Sequence, residues 1–332
     1  MGTTKKKASK ITGLIILVVV VSGLVVGGIF SKQLETFAKD LISNMHYSGS
    51  PEIEEIANKL GLTGSGRFVF GATNPAVEER DAFNEHCDSY DEETSTLGCY
   101  GDNRIYLYNV TADELAGIKE STAAHELMHA VWERMPDGEK NELSKLLLNT
   151  YDNDKDIKNR LEEELKNYEE DEIVDELHSR LATEVKNLPA RLEEHYAKYF
   201  TDQDAVVVLY ENYREPFEKL DEEFEKLSAD LEAVKAEYEQ KQNAYVERYE
   251  ALEEAISEFN SCAETLGCFS SQAAFNARRN ELVAENAALD EMYNELSVLV
   301  DDYNAKVEAY NNNILRGEEL DSMMNSNSKV NL

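Results

Sequence analysis

The chain has 332 residues, with 67 Asp and Glu against 33 Lys and Arg, a net charge of −34. So acidic a chain lacks the basic footprint that phosphate contacts require, and nucleic acid is not an expected partner. With 16 Gly, 5 Pro and 42% hydrophobic residues, collagen-like and Pro/Gly-rich disordered chains are excluded, and long uninterrupted helices around an apolar core are favoured.

Charge is unevenly placed. Residues 1–32 carry Lys5, Lys6, Lys7, Lys10 and Lys32 and no acid, so the acidic excess lies wholly beyond them. Between these lysines, Ile11–Phe30 is a run of 20 uncharged residues. As a helix it would span about 30 Å, the hydrocarbon thickness of a bilayer. Residues 1–10 then read as a basic cytoplasmic tail and 11–30 as a transmembrane helix, with the positive-inside rule placing the N-terminus in the cytoplasm. The rival is a cleaved signal peptide, whose apolar region is shorter, although Val26-Gly27-Gly28 is a tolerable cleavage site. Both readings export the body, giving a single-pass membrane protein with an extracellular or cell-envelope domain in the first case. Residues 31–65 read as a membrane-proximal helical linker, with Ser50-Pro51 as a helix start.

The four cysteines form two local pairs, Cys87 with Cys99 and Cys262 with Cys268, each closing a short polar loop. In an exported chain, local disulfides are the simplest connectivity, and the C-x2-C spacing of a zinc site is absent. Arg67–Phe70 and Arg104–Val110 have the β-branched and aromatic content of short strands, and Thr111–Glu114 matches a capping box that would start a helix. Helical patterns continue to about 200, with Pro189 starting a helix that carries Leu192, Tyr196 and Tyr199 on one face. Asn109-Val110-Thr111 is a glycosylation sequon, meaningful only in a eukaryotic secretory pathway.

From about 217 the pattern becomes heptad-like. Leu220, Phe224, Leu227, Leu231, Val234 and Tyr238 alternate at spacings of four and three, and Tyr245, Leu252 and Phe259 continue at sevens. Lys241 and Arg248 interrupt that seam. A second arm carries Phe275, Leu282, Leu289, Met292, Leu296, Tyr303, Val307 and Tyr310. Near-equal arms around the Cys262–Cys268 loop predict an antiparallel helical hairpin about 60 Å long within 203–316, a surface open to a partner or to self-association. The alternative is an intermolecular parallel coil. Residues 317–332 are expected to be a disordered tail.

One motif carries chemistry: His125-Glu126-Leu127-Met128-His129, an HExxH pattern. On a helix, His125 and His129 lie at i and i+4 and can bind one metal, while Glu126 reaches the metal-bound water as general base. The residues around them, Ala123, Ala124, Leu127, Met128, Ala130 and Val131, suit a buried helix whose only polar task is the site.

With Thr122 three residues before the first His and Val131 two after the second, the segment resembles the zincin metallopeptidases. The resemblance covers roughly residues 66–200 and implies an α+β zincin-like domain over 66–202, with zinc as cofactor and a protein or peptide as substrate. The metzincin branch continues with Gly and a third His; HELMHAVWERM has neither. Gluzincins take the third ligand from a later helix, which here implies Glu176, with Glu184, His178 and Asp175 as rivals. The family also implies that the strand before the HExxH helix, Arg104–Val110, holds substrate by its edge. His195 or Tyr196 would donate to the oxyanion, unless both simply pack in the helix core, as Trp132 is expected to do.

The expected fold is therefore mainly α with a small β-sheet, plus the long coiled-coil hairpin and the N-terminal transmembrane helix. The expected activity is zinc-dependent peptide hydrolysis. A second reading is a surface coiled-coil interaction protein whose metallopeptidase-like domain is inactive.

Overall fold

The computed structural model describes residues 33–87, 97–166 and 168–326. The apolar run at 11–30 lies outside them. Among the described residues no helix is long and apolar enough to cross a membrane. Among the described residues the chain is predominantly helical, with one three-stranded sheet and a long helix pair, and it divides into a first unit ending at Pro216, to which 322–326 belong, and a second unit, Phe217–Asp321.

The first unit begins with α1, residues 33–46. Helix α2 (Pro51–Lys59) starts as expected: Ser50 caps it, its side chain accepting from the Ile53 N–H, with Pro at the first helical position. Helix α3 (Gly64–Ala72) is capped by Thr63. These segments are not a linker. Ile53, Ile56, Leu60 and Phe70 are at most 2% exposed and join one core with the rest of the unit. Arg67–Phe70 is correspondingly helix rather than strand. Its aromatic content favoured extension, but the Thr63 cap and burial of Gly66 and Phe70, one turn apart on one helical face, override that preference.

Strand β1 (Ala76–Glu78), helix α4 (Arg80–Cys87), strand β2 (Gly98–Gly101) and strand β3 (Arg104–Tyr108) follow. The sheet order is β1-β3-β2, with β1 parallel to β3 (Val77 opposite Leu107) and β2 antiparallel to it (Cys99 opposite Tyr106). The Cys87–Cys99 disulfide ties the end of α4 to β2.

Thr111–Glu114 does not start the next helix. Asp113–Leu115 makes one 3-10 turn without a side-chain cap, and α5 (Ile118–Arg134) begins after Gly117. Gly117 has φ +101°, a conformation open to glycine, and its Cα lies against the Leu209 carbonyl, leaving no room for a side chain. Helix α5 is the centre of the unit: Ala123, Ala124, Leu127, Met128 and Ala130 have no exposed surface. Helices α6 (Asp137–Asn153), α7 (Lys155–Leu165), α8 (Glu170–Glu184) and α9 (Ala190–Tyr196) complete the layer around it, and α8 packs along α5. Glu169 and Glu172 form a reciprocal capping box at the start of α8, and Pro189 precedes α9 as expected.

Helix α10 (Gln203–Glu264) begins in the first unit and continues as one arm of the second, and α11 (Gln272–Met324) is the other arm. The arms are antiparallel within one chain. Phe224 meets Tyr310, Lys241 pairs with Glu295, Arg248 with Glu285 and Phe259 with Phe275, so partner numbers fall as arm numbers rise. Lys241 and Arg248 do not merely interrupt the seam: each finds a glutamate on the opposite arm, which penalises any other register. The Cys262–Cys268 disulfide closes the tip. Residues 317–324 are helical rather than a disordered tail. Beyond them, the Asn325 and Ser326 carbonyls accept hydrogen bonds from Arg80 and Asn84 of α4, fixing the chain there.

Candidate metal centre

Helix α5 delivers His125 and His129 one turn apart, and α8 lies across them with Glu176. Their donor atoms form the one His/Cys/Asp/Glu group among the described residues arranged to hold a metal ion. The two Nε2 atoms are 3.0 Å apart. Glu176 places Oε1 3.6 Å from His125 Nε2 and Oε2 3.4 Å from His129 Nε2. Ligands of a tetrahedral ion with bonds of about 2.0–2.1 Å sit roughly 3.3–3.4 Å apart, so the observed separations bracket that spacing.

The surroundings set the protonation. His129 Nδ1 donates to Asp175 Oδ1 at 2.8 Å, which holds a proton on Nδ1 and turns Nε2 toward the site, where a bound metal would displace any proton it carries. Burial alone would lower the pKa of His129, but its hydrogen bonds with Asp175 and Glu176 outweigh that and hold it well above the ordinary histidine value. For His125 burial dominates: the Glu176 charge favours its protonated form, but burial, with the neighbouring His129 and Arg180, pushes it down to about 3. Burial opposes the charge on Glu176, yet the two imidazoles and the Arg180 guanidinium keep its carboxyl well below the usual range. Asp175→Asn should therefore weaken metal binding about 10- to 100-fold, measured by competition with a chelator, by releasing the His129 ring.

The rivals for third ligand occupy other positions. Asp175 is a partner of His129 rather than a member of the metal group. Glu184 lies on the same stripe of α8 as Glu176, but Arg180 bridges the two: its Nε donates to Glu176 Oε1 at 2.6 Å and its guanidinium to Glu184 Oε1 at 2.9 Å. Arg160 is 3.7 Å from the other Glu184 oxygen. His178, two residues beyond Glu176, is about 200° further round the helix and points into the core. It has no exposed surface, and its Nε2 meets His195 Nε2 at 2.9 Å beside Trp132.

His195 and Tyr196 do not line the site. Both are buried behind it, and the Tyr196 hydroxyl donates to the His178 carbonyl. The oxyanion role suggested for them is replaced by core packing. Burial, with Lys198 nearby, lowers His195 to about 4 from the ordinary 6.5. Between those values the unfolded chain binds a proton that the native chain refuses. Stability is thus complete above about pH 6.5 and falls, on the order of 3 kcal/mol, as pH drops toward 4. Urea titrations across that range should show a shallower decline for His195→Gln than for the parent.

A cavity of about 430 Å³ opens beside the metal group. His125, Glu126 and His129 line one wall, and β2 lines another through Gly98, Cys99 and Tyr100. Strand β3 is the central strand, paired on both sides, so Arg104–Tyr108 offers no edge; among the described residues β2 is the edge strand on the cavity side. Gly98 permits its approach to α5, since a Cβ there would sit 2.5 Å from Thr122 Cγ2 and 3.0 Å from Glu126 Cγ. Three phenols, Tyr168, Tyr210 and Tyr213, also line the cavity, as does Arg180. Burial raises Tyr210 to about 12, so its hydroxyl stays a donor at neutral pH. The sequence held no signal for these groups, because Tyr210 and Tyr213 come from the start of α10, which is helical far beyond the site.

No protein-family model matches the chain, and no curated protein and no solved structure is significantly similar to it.

Proposed function

We propose that this chain is an exported, membrane-anchored zinc metallopeptidase of gluzincin type. The observation that carries the proposal is the convergence of His125, His129 and Glu176 at tetrahedral spacing beside Glu126 in one open cavity. Two imidazoles and one carboxylate with a further position open to the cavity are the donor set of a catalytic rather than a structural zinc site. Zinc bound there would lower the pKa of a bound water and polarise a substrate carbonyl.

The chain's own residues supply the rest. Glu126 is 7% exposed and lies next to His125 in the cavity wall. Its carboxylate is suited to take one proton from the attacking water, whose oxygen joins the carbonyl carbon, and to return that proton to the departing amide nitrogen. The backbone of β2 is suited to hold a peptide as an added strand, the role first expected of Arg104–Val110. The phenols are the candidate donors toward developing negative charge on the carbonyl oxygen. Glu126, Glu172, Asp175 and Glu184 around the metal group disfavour an acidic side chain beside the scissile bond. The uncharged run Ile11–Phe30 after four lysines supports the anchor. The acidic hairpin is assigned to holding the body off anionic surfaces or docking a partner.

The test is metal removal. The purified full chain should contain one zinc and cleave peptides from an unbiased library. A chelator should abolish cleavage, and stoichiometric zinc should restore it. Absence of zinc after reconstitution would overturn the proposal.

A further inference from the structure

Helix α1 has its polarity reversed for a body in water. Asp40, Ser43 and Asn44 face inward. Asp40 is 4% exposed and accepts two hydrogen bonds of 2.9 Å from the Arg134 guanidinium. Ser43 Oγ donates to the Ala72 carbonyl at 2.7 Å, and Asn44 Nδ2 to the Phe68 carbonyl at 2.8 Å. On the opposite side Leu34, Phe37, Leu41, Ile42 and Met45 are 61%, 56%, 46%, 58% and 76% exposed. Their three- and four-residue spacing makes one stripe along the helix. Phe37 extends it onto α3 by stacking on Phe68, 5.6 Å between centroids. Polar groups that water could have satisfied are used on the inside, while the apolar side chains are turned out. A contiguous stripe of this kind marks an interaction surface.

Three occupants are conceivable: a second copy, the apolar run 11–30, or a lipid bilayer. Position favours the bilayer. The uncharged run ends at Phe30, and only Ser31 and Lys32 separate it from α1. Two or three residues reach at most about 10 Å, so a run that crosses the membrane delivers α1 into the interface. Its 20 residues are consumed in about 30 Å of hydrocarbon, leaving none to fold back over α1. Five side chains on one helix fall well short of the roughly 800 Å² per partner of a standard protein interface.

We propose that α1 is an interfacial helix that lays Leu34, Phe37, Leu41, Ile42 and Met45 into the headgroup–acyl boundary of the bilayer. The buried Asp40–Arg134 bridge joins it to the last turn of α5, the helix that carries His125 and His129. The metal centre is thereby held at a set orientation to the membrane rather than on a free tether. The inference rests on the membrane-anchor part of the proposed function and not on the enzyme part.

All four cysteines are disulfide-bonded, so one introduced cysteine gives a single labelling site. The full chain, reconstituted in phosphatidylcholine vesicles, would carry an environment-sensitive fluorophore at Leu41→Cys or Met45→Cys, with Glu142→Cys on the exposed side of α6 as control. Acrylamide, being neutral, is not biased by the protein's charge. The expected result is several-fold weaker acrylamide quenching, and several-fold stronger quenching by brominated lipid, at positions 41 and 45 than at 142. Equal acrylamide quenching at all three, in vesicles that retain the chain after carbonate washing, would overturn the docking and leave the anchor standing. Protection from acrylamide without quenching by brominated lipid would also overturn it, by showing a protein cover. Loss of the chain from washed vesicles would overturn the anchor and this inference together; zinc content and peptide cleavage on the same sample report on the enzyme reading separately.

Discussion

Glu126→Gln should abolish peptide hydrolysis while leaving the metal in place. Glutamine matches glutamate in shape and keeps an oxygen toward the cavity, so the close packing beside Gly98 survives. It cannot accept a proton at neutral pH. Proton transfer by a placed side chain contributes about 10²- to 10⁴-fold, and turnover should fall by at least that factor. Because neither imidazole nor Glu176 is touched, zinc per chain should not change. Turnover and metal content measured on the same preparation separate the readings. Lost turnover with full zinc supports Glu126 as the base. Undiminished turnover would remove it from that role. An interaction protein with an inactive domain would show no cleavage in the parent either.

Glu176→Ala should empty the site. Two imidazoles alone leave a zinc-type centre one ligand short, and the substitution also removes the carboxylate beside Arg180, leaving that guanidinium in the cavity wall near the imidazoles. Loss of an outer partner such as Asp175 costs about 10- to 100-fold in metal affinity, and loss of a ligand should exceed that range. Glu184→Ala is the matched control. It removes the other carboxylate held by Arg180 but no donor of the metal group. Elemental analysis should find zinc in the parent and in Glu184→Ala and little in Glu176→Ala. Equal zinc in Glu176→Ala and the parent would move the third donor elsewhere.

Much of this site was legible because its logic is local. Residues at i and i+4 on a helix share a face whatever the helix packs against, so His125, Glu126 and His129 follow from spacing alone. The small and apolar residues between them made a buried helix the reading, and Ala123, Ala124 and Leu127 are indeed fully buried. Local cysteine spacing likewise gave both disulfides, and heptads of near-equal length gave an antiparallel pair. Register within that pair was harder to see. Lys241 and Arg248 look like interruptions until the opposite arm supplies Glu295 and Glu285.

Other features depend on residues far apart in the chain meeting in space. Glu176 and Glu184 share a stripe of α8, and only the crossing of α8 over α5 decides which carboxylate meets the imidazoles. His178 was a chemically sound ligand, but the phase of α8 turns it toward His195 and Trp132. Strand order decides that β2, not β3, borders the cavity, because the chain returns through β3 into the middle of the sheet. Helix α1 is the plainest case. Its sequence is amphipathic, and amphipathicity alone would bury Leu34, Leu41 and Met45. The Asp40–Arg134 bridge and the Ser43 and Asn44 hydrogen bonds instead turn the polar face inward, a choice made by partners 24 to 94 residues away in the chain. Periodicity and spacing determined which side chains share a face. The direction in which each face points was decided by tertiary packing, since a helix carries no record of its neighbours.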